Sequence, residues 1–190
     1  MSILINRMFS VPCSETQLNL NIKKITKYCY NLKKTDSGRN VSNRDGWQST
    51  ELFFPNSLSN LADKICKKII SNYYFINNFK YKADLFFHKT RLKDEEDIQW
   101  RNDRVHKDQG IVAGLVYLTP NAPLHTGTQT FIYNKSNNEF HTDIFMSNLY
   151  NRLVMYPCNV SHSAMNYFGD NKNPRLVLLF WLYELKHNEN

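Results

Sequence analysis

The sequence lacks the features of exported, membrane-spanning and disulfide-stabilised proteins. Its four cysteines, Cys13, Cys29, Cys66 and Cys158, are widely scattered without a CxxC pair, and a chain of 190 residues can bury enough core to fold without disulfides. No apolar run approaches the roughly eighteen residues of a membrane-spanning helix. The N-terminal stretch MSILINRMFSVPCSE has no basic start followed by a long apolar run. We therefore expect a soluble cytoplasmic protein with reduced thiols and no membrane contact.

The sequence also lacks an internal repeat and any clustered basic and aromatic stretch that would hold a nucleic-acid strand. The formal net charge is +7 and the pI is near 9.2. However, the lysines occur as scattered pairs on predicted helices, which favours solvated helix faces over a nucleic-acid surface. With 42% hydrophobic residues the chain can form one core. We expect a single domain over residues 1–190, as a monomer or homodimer.

Two helical patterns precede everything else in the chain. Ser14 and Gln17 form a capping box, and an apolar stripe with spacings of four and three residues follows it. That stripe consists of Leu18, Ile22, Ile25, Cys29 and Leu32. A loop is expected from Gly38 to Ser49. A second stripe follows Ser57 and consists of Leu58, Leu61, Ile65, Ile69 and Tyr73.

After about residue 80 the pattern changes to short apolar or alternating runs bounded by turn residues. The predicted strands are Asp84 to Thr90, Ile111 to Leu118, Gln129 to Tyr133, Arg152 to Tyr156, and Leu176 to Leu185. The asparagine-rich segment 134–150 is interpreted as a mobile excursion between strands. These patterns predict a mainly β fold with N-terminal α-helices, in which residues 1–80 supply helices and a loop. Residues 81–190 would form a jelly-roll or cupin-like core, which shelters the edges of such short strands.

One short motif places two metal-ligand side chains together. In an extended segment, His106 and Asp108 lie on the same face because side chains alternate with a period of two. His162 lies 56 residues later, a gap that holds three or four strands and allows the chain to return. Two imidazoles and one carboxylate on one face of a metal are typical of non-haem iron(II) oxygenases.

Taken alone, an HxD triplet more often contains a structural or surface histidine. A second copy, His141-Thr142-Asp143, lies only 21 residues before His162, which leaves no room for intervening strands, so we assign it to a loop. The first copy is favoured by Arg175, which precedes an apolar run and needs a counter-charge. A small dicarboxylate such as 2-oxoglutarate would supply that charge, because a guanidinium binds a carboxylate bidentately. Pairing of Arg175 with Asp170 or another acid is the alternative.

Taken in order, these residues resemble the iron(II)- and 2-oxoglutarate-dependent dioxygenase superfamily, in its prolyl-hydroxylase-like branch. The resemblance covers roughly residues 81 to 185. His106, Asp108 and His162 match the HxD…H triad, and Arg175 matches the basic residue that follows the distal histidine. The segments Gly127 to Phe131 and Gly114 to Thr119 are similar to two strands of the family. A further segment, Val41 to Ser49, is similar to one in small oxygenases of bacterial and phage type.

The resemblance implies a double-stranded β-helix and an oxidoreductase whose cofactors are Fe(II), 2-oxoglutarate and dioxygen. The reaction releases succinate and carbon dioxide while the substrate is hydroxylated, and no acid or base beyond the metal ligands is required. The resemblance assigns Tyr117 to the far carboxylate of 2-oxoglutarate. The family's small hydroxyl residue two positions after the arginine is Val177 here. One polar contact to the cosubstrate is therefore either missing or made by Tyr117 or Thr128.

The substrate is expected to be an amino acid, a peptide or another small molecule. Candidate substrate contacts are Arg44, Trp47, Gln48 and Arg104, each of which has a structural role as its alternative. Segment 134–150 is either a lid over the pocket or a disordered insertion. Three functions stay open: an amino-acid or peptidyl hydroxylase, a nucleic-acid demethylase, and a non-catalytic jelly-roll binding or structural protein.

Overall fold

The structure is a computed structural model that describes residues 9–12, 22–31, 50–53, 67–71, 78–90, 105–165, 168–169 and 172–187. The described strands are β1 Phe9–Pro12, β2 Thr50–Phe53, β3 Phe79–Thr90, β4 Val112–Tyr117, β5 Thr128–Asn134, β6 Glu139–Met146, β7 Arg152–Pro157, β8 Ser161–Ala164 and β9 Arg175–His187. Helix α1 is Ile22–Asn31, and residues 67–71 are also helical. No described helix is both long enough and apolar enough to cross a membrane.

The strands form two antiparallel sheets. The major sheet has six strands in the order β1-β7-β4-β9-β3-β2, and the minor sheet has three in the order β6-β5-β8. Strands that are neighbours in a sheet are mostly distant in sequence. For example, β4 pairs with β7 and β9 rather than with β5. This arrangement is the double-stranded β-helix, or jelly roll, that the sequence predicted.

The central strands of the major sheet are apolar on both faces, and their residues alternate between two cores. On β4, Val112 and Val116 join an outer core with Leu178 and Phe180 of β9. The intervening residues of β4 and β9 face the minor sheet and form the inner core, whose buried members are Ala113, Leu115, Tyr117, Met146, Val154, Tyr156, Cys158 and Val177. The alternation follows from the period of two in a strand. Strand β4 is buried on both faces, and its sequence is therefore a continuous apolar run.

Helix α1 covers the outer face of the major sheet. Its Cys29 is fully buried in the outer core beside Leu85 and Phe87 of β3. The Lys89 ammonium donates a hydrogen bond of 2.8 Å to the Tyr30 carbonyl and lies 5.5 Å from the centre of the Tyr30 ring. A cation at the carbonyl end of a helix is favoured by the helix dipole. The contact fixes α1 on the side of the sheet away from the minor sheet.

The minor sheet contains a β-bulge between β5 and β6. Gln129 pairs with Phe145 and Phe131 pairs with Thr142, so that Thr130 lies opposite both Asp143 and Ile144. The Thr130 hydroxyl oxygen accepts a hydrogen bond of 3.1 Å from the Ile144 amide. The extra residue on β6 is accommodated there without disturbing the pairs on either side.

The structure corrects two sequence expectations about these elements. Residues 139–146 form strand β6 and not an irregular excursion, so the His141-Thr142-Asp143 triplet lies on a strand and not in a loop. This strand was missed because it is exposed over most of its length and, among the described strands, pairs only with β5. The expectation of only helices and a loop in residues 1–80 was also wrong, because β1 pairs with β7 and β2 pairs with β3 in the major sheet.

Candidate metal centre

The two histidines of the predicted triad are held side by side by the backbone. His106 and His162 form an isolated antiparallel bridge, in which each amide donates to the carbonyl of the other at 2.9 Å. Directly paired residues point to the same face, and the two imidazole centres lie 4.4 Å apart. Two segments that are distant in sequence are thus brought together at these histidines.

Asp108 completes the cluster. Its amide donates a hydrogen bond of 3.0 Å to the Cys158 carbonyl, which fixes the segment that follows His106. One carboxylate oxygen lies 3.8 Å from His106 Nε2, and the other lies 3.4 Å from His162 Nε2. One ligand atom from each of the three residues lies within 4.8 Å of the others. This is a compact facial set of two nitrogens and one oxygen.

His162 is oriented so that Nε2 faces the other two side chains. Its Nδ1 lies 3.0 Å from the Val160 carbonyl oxygen, so Nδ1 carries the proton and Nε2 offers a lone pair. Burial lowers the pKa of His162, although the Asp108 carboxylate opposes this shift. The neutral imidazole is the form that ligates a metal. The Tyr156 ring packs against His162 at 4.4 Å between centres and restricts its rotation.

The exposure of the three residues differs. The His106 side chain is 42% exposed, whereas those of Asp108 and His162 are 11% and 6% exposed. The cluster is therefore walled on the side of the inner core and open on the side of His106. A metal held there would have protein ligands on one side and exchangeable positions on the other.

A second polar cluster lies deeper between the sheets. The Tyr117 hydroxyl lies 2.8 Å from the Thr128 hydroxyl and 3.3 Å from the Met146 carbonyl oxygen. Burial raises the pKa of Tyr117, and the positive charge of Arg175 is the largest influence that opposes the shift. Arg175 itself is only 3% exposed. The three residues that the resemblance assigned to 2-oxoglutarate are thus all buried, with Tyr117 in contact with Thr128 and within reach of the charge of Arg175.

Strand β5 sets the spacing between the two clusters. Thr128 contacts Tyr117, and Thr130, two residues further on, pairs with His162. Two residues of a strand span roughly 7 Å, a separation that a five-carbon diacid can bridge. Gly127 permits this arrangement, because a Cβ at that position would lie 2.0 Å from the Met146 carbonyl oxygen.

The predicted substrate contacts cannot be placed relative to the two clusters. Arg44, Trp47, Gln48 and Arg104 lie outside the described residues. The sequence reasoning missed Tyr156, which packs on His162, and Thr130, which pairs with it. Tyr156 falls on the inner face by the alternation of β7, a signal that was available in the sequence. No sequence signal marks Thr130, because its place depends on strand pairing.

Comparison with known proteins gives a match in fold but not in sequence. No protein-family model and no curated protein matches the chain. A prolyl hydroxylase from Trichoplax adhaerens, solved with a peptide fragment of the hypoxia inducible factor oxygen degradation domain, superposes with a TM-score of 0.60 at 10% identity, covering 94% of this chain and 84% of that one. The fold is that of the 2-oxoglutarate, iron(II) oxygenases.

Two further structures extend the match. An oxidoreductase of the 2OG-Fe(II) oxygenase family from Burkholderia pseudomallei has a TM-score of 0.57 at 8% identity, with 95% of this chain and 84% of that chain covered. The epimerase SnoN, in complex with Fe³⁺, α-ketoglutarate and nogalamycin RO, has a TM-score of 0.60 at 12% identity, with 96% and 79% covered. At such identities the likeness concerns the fold, and function must be argued from the site.

Proposed function

We propose that this protein is an iron(II)- and 2-oxoglutarate-dependent dioxygenase. The observation that carries the proposal is the facial set of His106, Asp108 and His162, with ligand atoms within 4.8 Å of one another. Imidazole nitrogen and carboxylate oxygen suit iron(II), and three protein ligands leave positions for cosubstrate and dioxygen. Iron(II) would supply the oxidative chemistry that decarboxylates 2-oxoglutarate to succinate and inserts oxygen into a substrate.

The chain's own residues have the following roles in this proposal. The triad holds the metal, and the Val160 carbonyl and Tyr156 ring keep His162 in its ligating orientation. Arg175 binds the far carboxylate of 2-oxoglutarate, because the planar fork of a guanidinium matches a carboxylate bidentately. Tyr117 and Thr128 offer hydroxyls to the same carboxylate. The apolar inner core excludes water from this end of the pocket.

The favoured substrate is an amino acid or a peptidyl residue, and the favoured reaction is hydroxylation. The fold match to a prolyl hydroxylase solved with a peptide supports a peptide substrate. The match to an epimerase solved with a small molecule shows that the same fold also serves other substrates and outcomes. Neither match favours a nucleic-acid demethylase. Cytoplasmic location and a monomeric or homodimeric state stay predictions.

The proposal is tested by substrate-independent turnover. Purified protein with added iron(II) should convert 2-oxoglutarate slowly to succinate, measured by mass spectrometry, and chelation of the metal should stop the conversion. Asp108→Ala should abolish turnover and weaken metal binding by at least about 100-fold. Asp143→Ala removes the matched carboxylate of the second HxD triplet and should leave metal affinity unchanged in the same titration.

Two results would contradict the proposal. One is a wild-type protein that binds neither iron(II) nor 2-oxoglutarate, which would favour a non-catalytic jelly roll. The other is an equal loss of metal affinity in Asp108→Ala and Asp143→Ala, which would move the site to β6.

A further inference from the structure

The second HxD triplet lies on the same face as the metal centre. His106 pairs with His162, and His162 pairs with Thr130. The next position across the minor sheet is the bulge of Asp143 and Ile144. Because directly paired residues share a face, these side chains form one continuous row that runs from the metal centre to the edge strand β6. His141 lies on the same face, opposite Ile132.

This face extends beyond the metal centre. Strand β8 ends its pairing with β5 at the Ser161 and Phe131 pair, whereas β5 and β6 continue together to the Asn134 and Glu139 pair. The β5–β6 hairpin therefore continues past the strand position at which Thr130 pairs with His162. The side chains of Ile132 and Ile144 are 60% and 42% exposed, so the projecting face carries aliphatic surface beside a carboxylate.

Asp143 has little protein contact. One of its oxygens lies 3.5 Å from the Thr130 hydroxyl, and in the described part of the chain no lysine, arginine or histidine nitrogen forms an ion pair with it. His141, on the same face, lies 4.0 Å from Glu139. The hairpin's one lysine, Lys135, is in the turn. This face is thus locally acidic in a chain whose net charge is +7.

We propose that Asp143, with Ile132 and Ile144, selects substrates that carry an aliphatic amine or guanidine, such as a basic amino-acid side chain. This inference rests on the proposed oxygenase function and names its substrate class. Asp143 is two strands away from His162, roughly 10 Å at the usual strand spacing. A lysine or arginine side chain spans most of that distance, so its reactive carbon lies near the metal while its cation reaches the carboxylate. The aliphatic stem packs on the two isoleucines.

The test uses two probes that differ only in the presence of the terminal ammonium group. Nα-acetyl-lysine amide and Nα-acetyl-norleucine amide are added separately to protein loaded with manganese(II) and 2-oxoglutarate. Paramagnetic broadening of the probe's proton resonances then reports binding near the metal without requiring turnover. The lysine probe should be broadened about two- to five-fold more than the norleucine probe, which is the range for one exposed charge contact.

The variants separate a specific contact from a general charge effect. Asp143→Asn should reduce broadening of the lysine probe to the norleucine level, and Asp143→Lys should favour N-acetyl-glutamate amide instead. Glu184→Gln, which removes a carboxylate beside Lys186 on the major sheet, should leave the preference unchanged. Equal broadening of the two probes in the wild type, an unchanged preference in Asp143→Asn, or no broadening by either probe at millimolar concentration would each overturn the inference.

The loading step distinguishes the two proposals. Manganese(II) affinity and 2-oxoglutarate affinity are measured before any probe is added. Failure at that point contradicts the oxygenase proposal, whereas normal loading without a charge preference contradicts only the role of Asp143.

Discussion

Arg175 is the residue on which the cosubstrate assignment depends most. It is buried at the first position of β9, on the face that carries Val177, and its charge reaches the Tyr117 hydroxyl. Arg175 has an interaction of its own within the chain, and the five N–H donors of a guanidinium can serve a bound carboxylate as well. The Tyr117 and Thr128 hydroxyls contact each other at 2.8 Å, and in the proposed role they would receive the second oxygen of the bound carboxylate.

Replacement of this residue should separate cosubstrate binding from metal binding. Arg175→Ala is expected to raise the apparent KM for 2-oxoglutarate by about 10- to 100-fold, because a charge-assisted hydrogen bond contributes roughly 1.5–3 kcal/mol. Iron(II) affinity should persist, since no triad residue is touched. Steady-state succinate formation and a metal titration measure the two quantities. The matched control is Arg152→Ala, because Arg152 is the first residue of β7 as Arg175 is of β9. An equal effect of both variants would show that Arg175 does not make the specific contact to the carboxylate.

At the residue scale, the sequence indicated which side chains come close together where the pattern is local. His106 and Asp108 are two residues apart, and any extended conformation places them on one face. Arg175 could be singled out because it lies directly before an apolar strand, and its role in cosubstrate binding stays a prediction. The relation of Asp143 to the site was not predictable, because it depends on a bulge that forms only when β5 and β6 pair.

At the scale of elements, the contact between β4 and β9 explains why Gly114 lies in an otherwise bulky strand. A Cβ at Gly114 would lie 2.2 Å from the Phe180 ring, which occupies the space beside the glycine. Phe180 is Gly114's partner in the register and is buried in the outer core. The Phe180 ring therefore fills the space in the outer core that the side chains of both partners would otherwise share.

This packing predicts compensation between two substitutions. Gly114→Ala should destabilise the protein by about 1–3 kcal/mol through overpacking. Phe180→Leu should also destabilise it, but the double variant should be more stable than the sum of the two effects predicts, because the smaller side chain makes room for the methyl group. Urea unfolding of the wild type and the three variants measures the coupling. Strict additivity would show that the ring is not the obstacle.

The elements that the sequence predicted are those whose burial is regular. Strands β4, β7 and β9 were found because they lie inside the major sheet and consist of apolar runs. Helix α1 was found because its stripe includes Ile25 and Cys29, although only residues 22–31 of the predicted segment are described. Strands β1, β2 and β8 have four residues each, too few for a periodic pattern. Strand β6 shows one buried residue in eight.

For the whole molecule, buried thiol and phenol groups predict a loss of stability at alkaline pH. Burial raises the pKa of Cys29 from its ordinary value near 9 to about 12, opposed by the charge of Lys89, and burial also raises the pKa of Tyr117. The folded state therefore favours the neutral forms. The stabilisation is complete below about pH 9, where the unfolded thiol is also protonated, and is lost as pH rises towards about 12.

The contribution of one thiol can be isolated. The free energy of unfolding should fall with pH between about 9 and 11, and Cys29→Ala should reduce that slope by up to about 1.4 kcal/mol per pH unit, the value for one proton. Urea midpoints at three pH values measure the slopes. Parallel curves for wild type and variant would indicate that Cys29 is not the titrating group.

The bulge opposite Thr130 determines which side chains of β6 lie on the same face as His162. Counted from buried Met146, plain alternation along β6 would place Ile144, Thr142 and Phe140 on the inner face. The extra residue reverses this order, so that His141 and Asp143 face the metal side, while Phe140 packs with Tyr133 on the outside at 5.1 Å. Gain or loss of one residue in an exposed edge strand would therefore exchange a charged lining for an aromatic one without any change of side chain. Under the proposed role of Asp143, substrate preference would change with the length of this hairpin while the proposed metal ligands stay the same.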